Sequence, residues 1–189
     1  RPIVTADDLR TAVRRPRGGT VHYVLLDASG SMGGEAIRIG RGAALAILED
    51  AYRTRESVGL VVLAGGRAVL AARPTRAPER LRRLVLSERA RGGTPLAAGL
   101  ALVLDRIRKD GHPATVGLAT DGRANLTLAG SRDEGRAEAE TARLLEALAA
   151  LGSRPYVLAR ARDRRAAAFA ERHGLERVVV HPLTPARRR

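Results

Sequence analysis

A carboxylate and two hydroxyls stand at alternating positions directly after an apolar run. The run is Val21 to Leu26, and the segment that follows it is Asp27-Ala28-Ser29-Gly30-Ser31. A short apolar run bounded by small polar residues is typical of a buried strand, and a charge at its end is costly to bury without a partner. The glycine allows a tight turn that directs both serine hydroxyls toward one point. Oxygen ligands of this kind suit Mg²⁺ or Mn²⁺.

Two later stretches can complete this group of ligands. Gly92-Gly93-Thr94-Pro95 offers a third hydroxyl on a glycine loop, and a second apolar run, Thr115 to Asp121, ends in a second carboxylate. Two carboxylates balance the charge of a divalent ion, and an octahedral ion held in this way leaves a position for a carboxylate from another molecule. The candidate metal ligands are therefore Asp27, Ser29, Ser31, Thr94 and Asp121.

Strands and helices that could position these residues alternate along the chain. Apolar runs predict strands at 21–26, 57–64, 113–120, 154–159 and 177–181, and helical spacing predicts helices at 35–53, 78–86, after Pro95, around 141–151 and at 164–173. Residues 68–72, after a Gly65-Gly66 turn, are expected to return as an antiparallel edge strand. Alternation favours a largely parallel sheet with helices on both faces. Ligands of such sheets bind at the carboxyl ends of strands, where Asp27 and Asp121 are predicted to lie.

The pattern D-x-S-x-S, a distant Thr and a distant Asp-Gly resembles the metal-ion-dependent adhesion site of von Willebrand factor A domains. All five positions match, and the resemblance covers roughly residues 20–183. It implies an α/β, Rossmann-like fold with a central, mostly parallel sheet and one antiparallel edge strand. It also implies Mg²⁺ or Mn²⁺ as the ion, with Asp or Glu from a protein partner as a further ligand.

The words around these positions are most similar to the D subunit of magnesium chelatase and its cobaltochelatase relatives. They are V-L-L-D-A-S-G-S-M, G-G-T-P-L-A-A-G-L and L-A-T-D-G-R-A-N. This resemblance implies a role in ATP-driven insertion of Mg²⁺ into protoporphyrin IX, beside an AAA+ ATPase subunit and a large porphyrin-binding subunit. The alternatives are a cobaltochelatase component, or an adhesion-type or AAA+-associated A domain with no tetrapyrrole role.

Length and composition predict one domain with short flanking segments. We expect a linker at residues 1–19, the A domain at 20–183 and a disordered basic tail at 184–189. The chain begins at Arg1-Pro2 and is expected to be either a fragment or a stand-alone relative. It has no cysteine, which fits a reducing compartment, and no apolar run of about 18 residues. We therefore expect a cytoplasmic location and no membrane span.

The charge of the chain is strongly basic, with a formal net charge of +14. Such a charge is typical of nucleic-acid binders. However, the basic residues are scattered over every segment, and aromatic residues, which would stack on bases, make up only 2% of the chain. Lys109 is the one lysine among 34 basic residues. This pattern favours a solvated basic surface that meets an acidic protein partner over nucleic-acid binding.

Catalytic readings of the same residues fit less well. A phosphatase of the haloacid dehalogenase type would need a second Asp at the position of Ser29. Ser29 also lacks the G-x-S-x-G elbow of serine hydrolases, and no G-x-x-x-x-G-K-[ST] phosphate loop occurs. The four histidines form no ligand pattern; His22 is predicted in a strand, and His112, His173 and His181 at surface or loop positions. We therefore expect this domain itself to be non-catalytic, within a larger ATP-dependent complex.

Overall fold

Six strands and five helices make up the fold in a computed structural model that describes residues 21–29, 33–87, 92–159 and 161–179. The predicted linker and basic tail, and Ser31, lie outside these ranges. The strands are β1 (Val21–Asp27), β2 (Ser57–Ala64), β3 (Arg67–Thr75), β4 (Ala114–Ala119), β5 (Arg154–Ala159) and β6 (Glu176–Val179). The helices are α1 (Gly33–Arg53), α2 (Pro78–Ser87), α3 (Leu96–Asp110), α4 (Glu134–Ala150) and α5 (Arg164–Arg172).

The strands form one sheet in the order β3-β2-β1-β4-β5-β6. All neighbouring strands are parallel except β2 and β3, which pair antiparallel at one edge. The predicted α/β fold with an antiparallel edge strand is therefore confirmed. The chain runs outward from β1 through β2 and β3, and then crosses to the other side of β1 to continue with β4. This reversal places the switch point at the carboxyl ends of β1 and β4, where open α/β sheets bind ligands.

Two apolar layers cover the two faces of the sheet. In β1, Tyr23 and Leu25 belong to a cluster with residues of α3, α4 and α5, whereas Val24 and Leu26 belong to a cluster with α1 and α2. This division follows from the pleat, because successive side chains of a strand point to opposite faces. With both of its faces covered and a neighbouring strand on each side, β1 is buried, and so is the residue that ends it.

The start of α4 differs from its prediction. A helix was predicted around residues 141–151, whereas α4 already begins at Glu134, after the N-cap Asp133, whose side chain accepts a hydrogen bond from the Arg136 amide at 2.9 Å. The capping carboxylate, rather than a large apolar residue, sets this boundary. The predicted bounds of β2 and β5 match the structure. Within the described ranges, no helix is long and apolar enough to cross a membrane.

Candidate metal site at the carboxyl end of β1

Asp27 ends the central strand and is fully buried. Its Oδ1 accepts a hydrogen bond from the Ser29 backbone amide at 2.9 Å, and its Oδ2 accepts one from the Thr120 hydroxyl at 2.8 Å. The Ala28 amide donates to the Leu63 carbonyl at 2.8 Å, which ties the chain to β2 just beyond the end of β1. The carboxylate is therefore fixed in position by contacts from its own loop and from the residue after β4.

Burial raises the pKa of Asp27 above its ordinary value. Hydrogen bonds from Ser29 and Thr120 lower this pKa, and the nearby Asp121 carboxylate raises it again. Loss of water disfavours a charge, and a second negative charge adds repulsion. A bound cation would relieve both effects, so the electrostatic environment of Asp27 suits a positively charged ligand.

Thr94 joins the site from the segment before α3. Its buried hydroxyl donates to the buried Ser29 hydroxyl oxygen at 2.8 Å. Its backbone is held by Asn125, whose Oδ1 accepts from the Thr94 amide at 2.7 Å and whose amide donates to the Thr94 carbonyl at 3.3 Å. Thr94 is not the helix cap that a Thr-Pro pair can indicate, because the N-cap of α3 is Pro95, without a side-chain cap bond.

Asp121 approaches from the loop after β4. Its Oδ1 accepts a hydrogen bond from the Arg123 amide at 3.0 Å, and its Oδ2 lies 3.8 Å from the Arg165 guanidinium. The Asp121 side chain is 10% exposed. The next residue, Gly122, has φ +81°, and a Cβ at this position would lie 2.4 Å from the Phe169 Cβ. Helix α5 therefore packs against the Asp121 turn.

The structure brings together side chains from three distant segments. Asp27, Ser29 and Thr94 are linked through buried hydrogen bonds, and Asp121 lies close enough to Asp27 to act on its charge. Ser31 belongs to the undescribed part of the chain, so its place in the site stays a prediction. The oxygen donors that converge are hard ligands of the type that Mg²⁺ and Mn²⁺ prefer, and the residues present therefore fit such an ion.

Sequence reasoning missed the partners that hold these side chains. Thr120 was read only as part of a strand end, and Asn125 and Arg165 were assigned no role. A pattern of three or more His, Cys, Asp or Glu residues could not have found the site either, since the described residues contain no such group. For Thr120 and Asn125, the available signal was their place in the same quoted segment as Asp121, L-A-T-D-G-R-A-N.

A cavity and a second polar network lie away from this site. The cavity, of about 420 Å³, lies between α1 and α2, and none of the residues that line it belongs to the candidate site. The network centres on His22, which bonds the Glu56 carboxylate at 2.8 Å and the Thr115 hydroxyl. His173, predicted at a surface or loop position, lies in the turn after α5; its side chain is 8% exposed and contacts Glu138 at 3.0 Å. Packing of its ring against Phe169 explains this burial.

Known proteins share both the fold and the sequence pattern. Residues 23–123 match the family model of the von Willebrand factor type A domain. The chain is 35% identical over 79% of its length to the magnesium-chelatase 60 kDa subunit of Cereibacter sphaeroides, and 31% identical over 78% to the 67 kDa subunit of Chlorobaculum parvum. The solved structure of manganese-loaded TRAP protein from Plasmodium vivax covers 88% of the chain at a TM-score of 0.62 and 14% identity.

These matches cover only part of each known protein. The chain spans 27% and 25% of the two chelatase subunits, and 65% of the TRAP chain. The TRAP comparison, at low identity, concerns the fold alone. The family model, in contrast, covers more than half of the chain and includes Asp27, Ser29, Ser31, Thr94 and Asp121. The chain therefore belongs to the von Willebrand factor type A domain family.

Proposed function

We propose that this chain is a metal-dependent protein-interaction domain. The observation that carries the proposal is the hydrogen bond between the buried Thr94 and Ser29 hydroxyls, beside the buried Asp27 carboxylate. Buried polar groups are costly, and a carboxylate is costlier still. Their concentration at the switch point of the sheet is explained if they serve a cation, and is hard to explain by packing alone.

In this proposal each ligand has a separate role. Ser29 and Ser31 contact the ion directly, and Thr94 contacts it directly or through water. Asp27 and Asp121 supply the two negative charges and orient the hydroxyls. The ion, Mg²⁺ or Mn²⁺, supplies a position at which an Asp or Glu of a protein partner can bind. The domain therefore binds rather than catalyses.

The partner complex that we propose is an ATP-dependent magnesium chelatase. The chain would be part of a D-type subunit and would assist Mg²⁺ insertion into protoporphyrin IX in (bacterio)chlorophyll biosynthesis. An AAA+ ATPase subunit and a large porphyrin-binding subunit would be its partners. Support comes from the names of the two relatives above, each of which is a magnesium-chelatase subunit. A cobaltochelatase component, or an A domain without a tetrapyrrole role, is the alternative.

Titration calorimetry with Mg²⁺ and with Mn²⁺ tests the metal site. The protein is compared with Asp121→Ala and with a control, Asp105→Ala, which removes an exposed carboxylate paired with Lys109 on α3. We expect the unmodified protein and the control to bind the metal. Asp121→Ala should lose at least about tenfold in metal affinity, since it lacks one of the two carboxylates that balance the charge of the ion. Equal metal affinity in all three proteins would contradict the proposal.

A competition experiment tests the chelatase role separately. The isolated chain is added to a magnesium-chelatase reaction reconstituted from Cereibacter sphaeroides subunits. We expect the unmodified chain to inhibit by occupying the partner of the 60 kDa subunit, and Asp121→Ala to inhibit much less. If the chain binds metal and yet leaves the reaction unchanged at a large excess, the A domain without a tetrapyrrole role becomes the better reading.

A further inference from the structure

Arg165 stands at the rim of the candidate metal site with its charge turned toward solvent. Its guanidinium lies 3.8 Å from Asp121 Oδ2, a distance that allows attraction but exceeds that of a hydrogen bond. The Arg165 side chain is 62% exposed, whereas the Asp121 side chain is 10% exposed. Within the described residues, this ion pair is the one polar contact of the guanidinium, so its five N–H donors remain available to a ligand.

Helix α5 holds Arg165 in a fixed place beside the metal loop. The helix begins at Arg164 after the N-cap Asp163, whose Oδ1 accepts a hydrogen bond from the Ala166 amide at 3.1 Å. Phe169 is buried one turn further along and packs against Gly122. Because the helix is anchored at both points, its backbone cannot drift relative to the Asp121 turn. The backbone of Arg165 is therefore held beside the Asp121 turn.

The charges around this rim are mainly positive. Arg123, two residues after Asp121, is exposed, and so are Arg162 and Arg164 at the start of α5. Asp163, between these arginines, caps the N-terminus of α5, and Glu138 is paired with Arg172 and His173 at the other end of the helix. The whole chain carries +14. An anionic partner surface is thus attracted to this edge of the sheet, and a basic one is repelled.

We infer that Arg165 is a specificity-determining residue that binds a second carboxylate of the partner, next to the carboxylate that binds the metal. The inference rests on the proposed metal site, because the guanidinium lies beside Asp121. Side chains two residues apart on an extended peptide point the same way and are separated by roughly 7 Å. The favoured partner segment therefore carries paired acidic residues, such as Glu-Ala-Glu, rather than a single one.

Two fluorescein-labelled peptides test this inference. One contains Glu-Ala-Glu in a Gly-Ser frame, and the other contains Glu-Ala-Gln in the same frame. Binding is measured by anisotropy with saturating Mg²⁺, for the unmodified protein, Arg165→Gln and the control Arg164→Gln, which removes an equal charge from the neighbouring residue. We expect the unmodified protein to bind the paired peptide about fivefold more tightly, as for one exposed ion pair.

The variants decide whether Arg165 causes this preference. We expect Arg165→Gln to bring the affinity ratio of the two peptides close to one, and Arg164→Gln to keep it. Mg²⁺ affinity, measured by calorimetry, should be unchanged or higher in Arg165→Gln, because a positive charge beside Asp121 is lost. A ratio of one in the unmodified protein, an equal ratio in both variants, or weakened Mg²⁺ binding in Arg165→Gln would overturn the inference.

The same measurements separate this inference from the proposed function. If the unmodified protein binds Mg²⁺ but neither peptide, the inference is overturned and the metal site stands. If the unmodified protein binds no Mg²⁺, both the proposed function and the inference are overturned. Preference for the paired peptide that persists without Mg²⁺ would show charge attraction alone, which also overturns the role given to the metal-bound carboxylate.

Discussion

The Thr94 hydroxyl donates a hydrogen bond to the Ser29 hydroxyl oxygen at 2.8 Å, although 65 residues separate the two in the chain. Both residues are fully buried. The bond joins the loop after β1 to the segment that leads into α3, so the position of one hydroxyl depends on the other. A change at Thr94 should therefore affect the Ser29 hydroxyl directly, and the Asp27 carboxylate only through Ser29.

Replacing Thr94 tests this dependence. Thr94→Val keeps the shape but removes the donor, and we expect it to lower the free energy of unfolding by about 1–3 kcal/mol, since Ser29 loses a buried partner. Mn²⁺ affinity should fall by about 10–100-fold, as for the loss of a group that supports or supplies a ligand. Thr94→Ser, which keeps the hydroxyl, serves as the control for urea denaturation and Mn²⁺ calorimetry. Equal Mn²⁺ affinity in the two variants would rule out a role for the hydroxyl.

The raised pKa of Asp27 predicts a pH-dependent stability of the metal-free protein. Because the unfolded chain loses this proton at a lower pH than the folded chain, Asp27 stabilises the fold below its ordinary value of 3.8. That contribution declines as pH rises through the folded pKa. Urea titrations at several pH values measure this effect. As pH rises from below 3.8 through the folded pKa, we expect the unfolding free energy of the unmodified protein to fall relative to that of Asp27→Asn. Parallel pH curves for the two proteins would show that the pKa of Asp27 is not raised.

Alanine substitutions at two glycines with nearly equal φ angles can distinguish the cost of a steric clash from the cost of a left-handed backbone. Gly122 has φ +81° and Gly130 has φ +82°. A Cβ added at Gly122 would clash with Phe169, whereas a Cβ added at Gly130 would have no atom within 4 Å. Gly130→Ala should cost about 1 kcal/mol of unfolding free energy from the left-handed backbone alone. Gly122→Ala should cost about 1–3 kcal/mol more and weaken Mn²⁺ binding, because the Asp121 turn must shift. Similar losses in the two variants would mean that α5 does not support the turn.

The buried network at the start of β1 is expected to serve stability alone. His22 contacts Glu56 at 2.8 Å, and Glu56 also accepts a hydrogen bond from the Thr54 hydroxyl at 2.6 Å. His22→Leu should lower the unfolding free energy by about 1–3 kcal/mol, since polar partners stay buried. Mn²⁺ affinity should not change, because Asp27 lies at the other end of the strand, roughly 16 Å away. Weaker Mn²⁺ binding in His22→Leu would show that the two ends of β1 are coupled.

The sequence alone predicted the strands that deliver the candidate ligands. Apolar runs before Asp27 and Asp121 are local signals, and because a parallel sheet aligns the carboxyl ends of its strands, their convergence followed from the fold class. The same local reasoning placed the antiparallel edge strand after the Gly65-Gly66 turn, where both residues have positive φ. This reasoning missed the start of α4, because the N-cap Asp133, rather than the spacing of apolar residues, sets that boundary.

Only the tertiary structure decided which groups surround the candidate ligands. The Thr120 bond to Asp27 spans 93 residues, and it requires β1 and β4 to be neighbours in a particular register. The Asn125 contact with Thr94 and the Arg165 contact with Asp121 depend on how a loop and a helix pack. Residue type and spacing along a chain carry information about one strand or one helix. Contacts between elements depend on register and packing, and these are settled by the whole core at once.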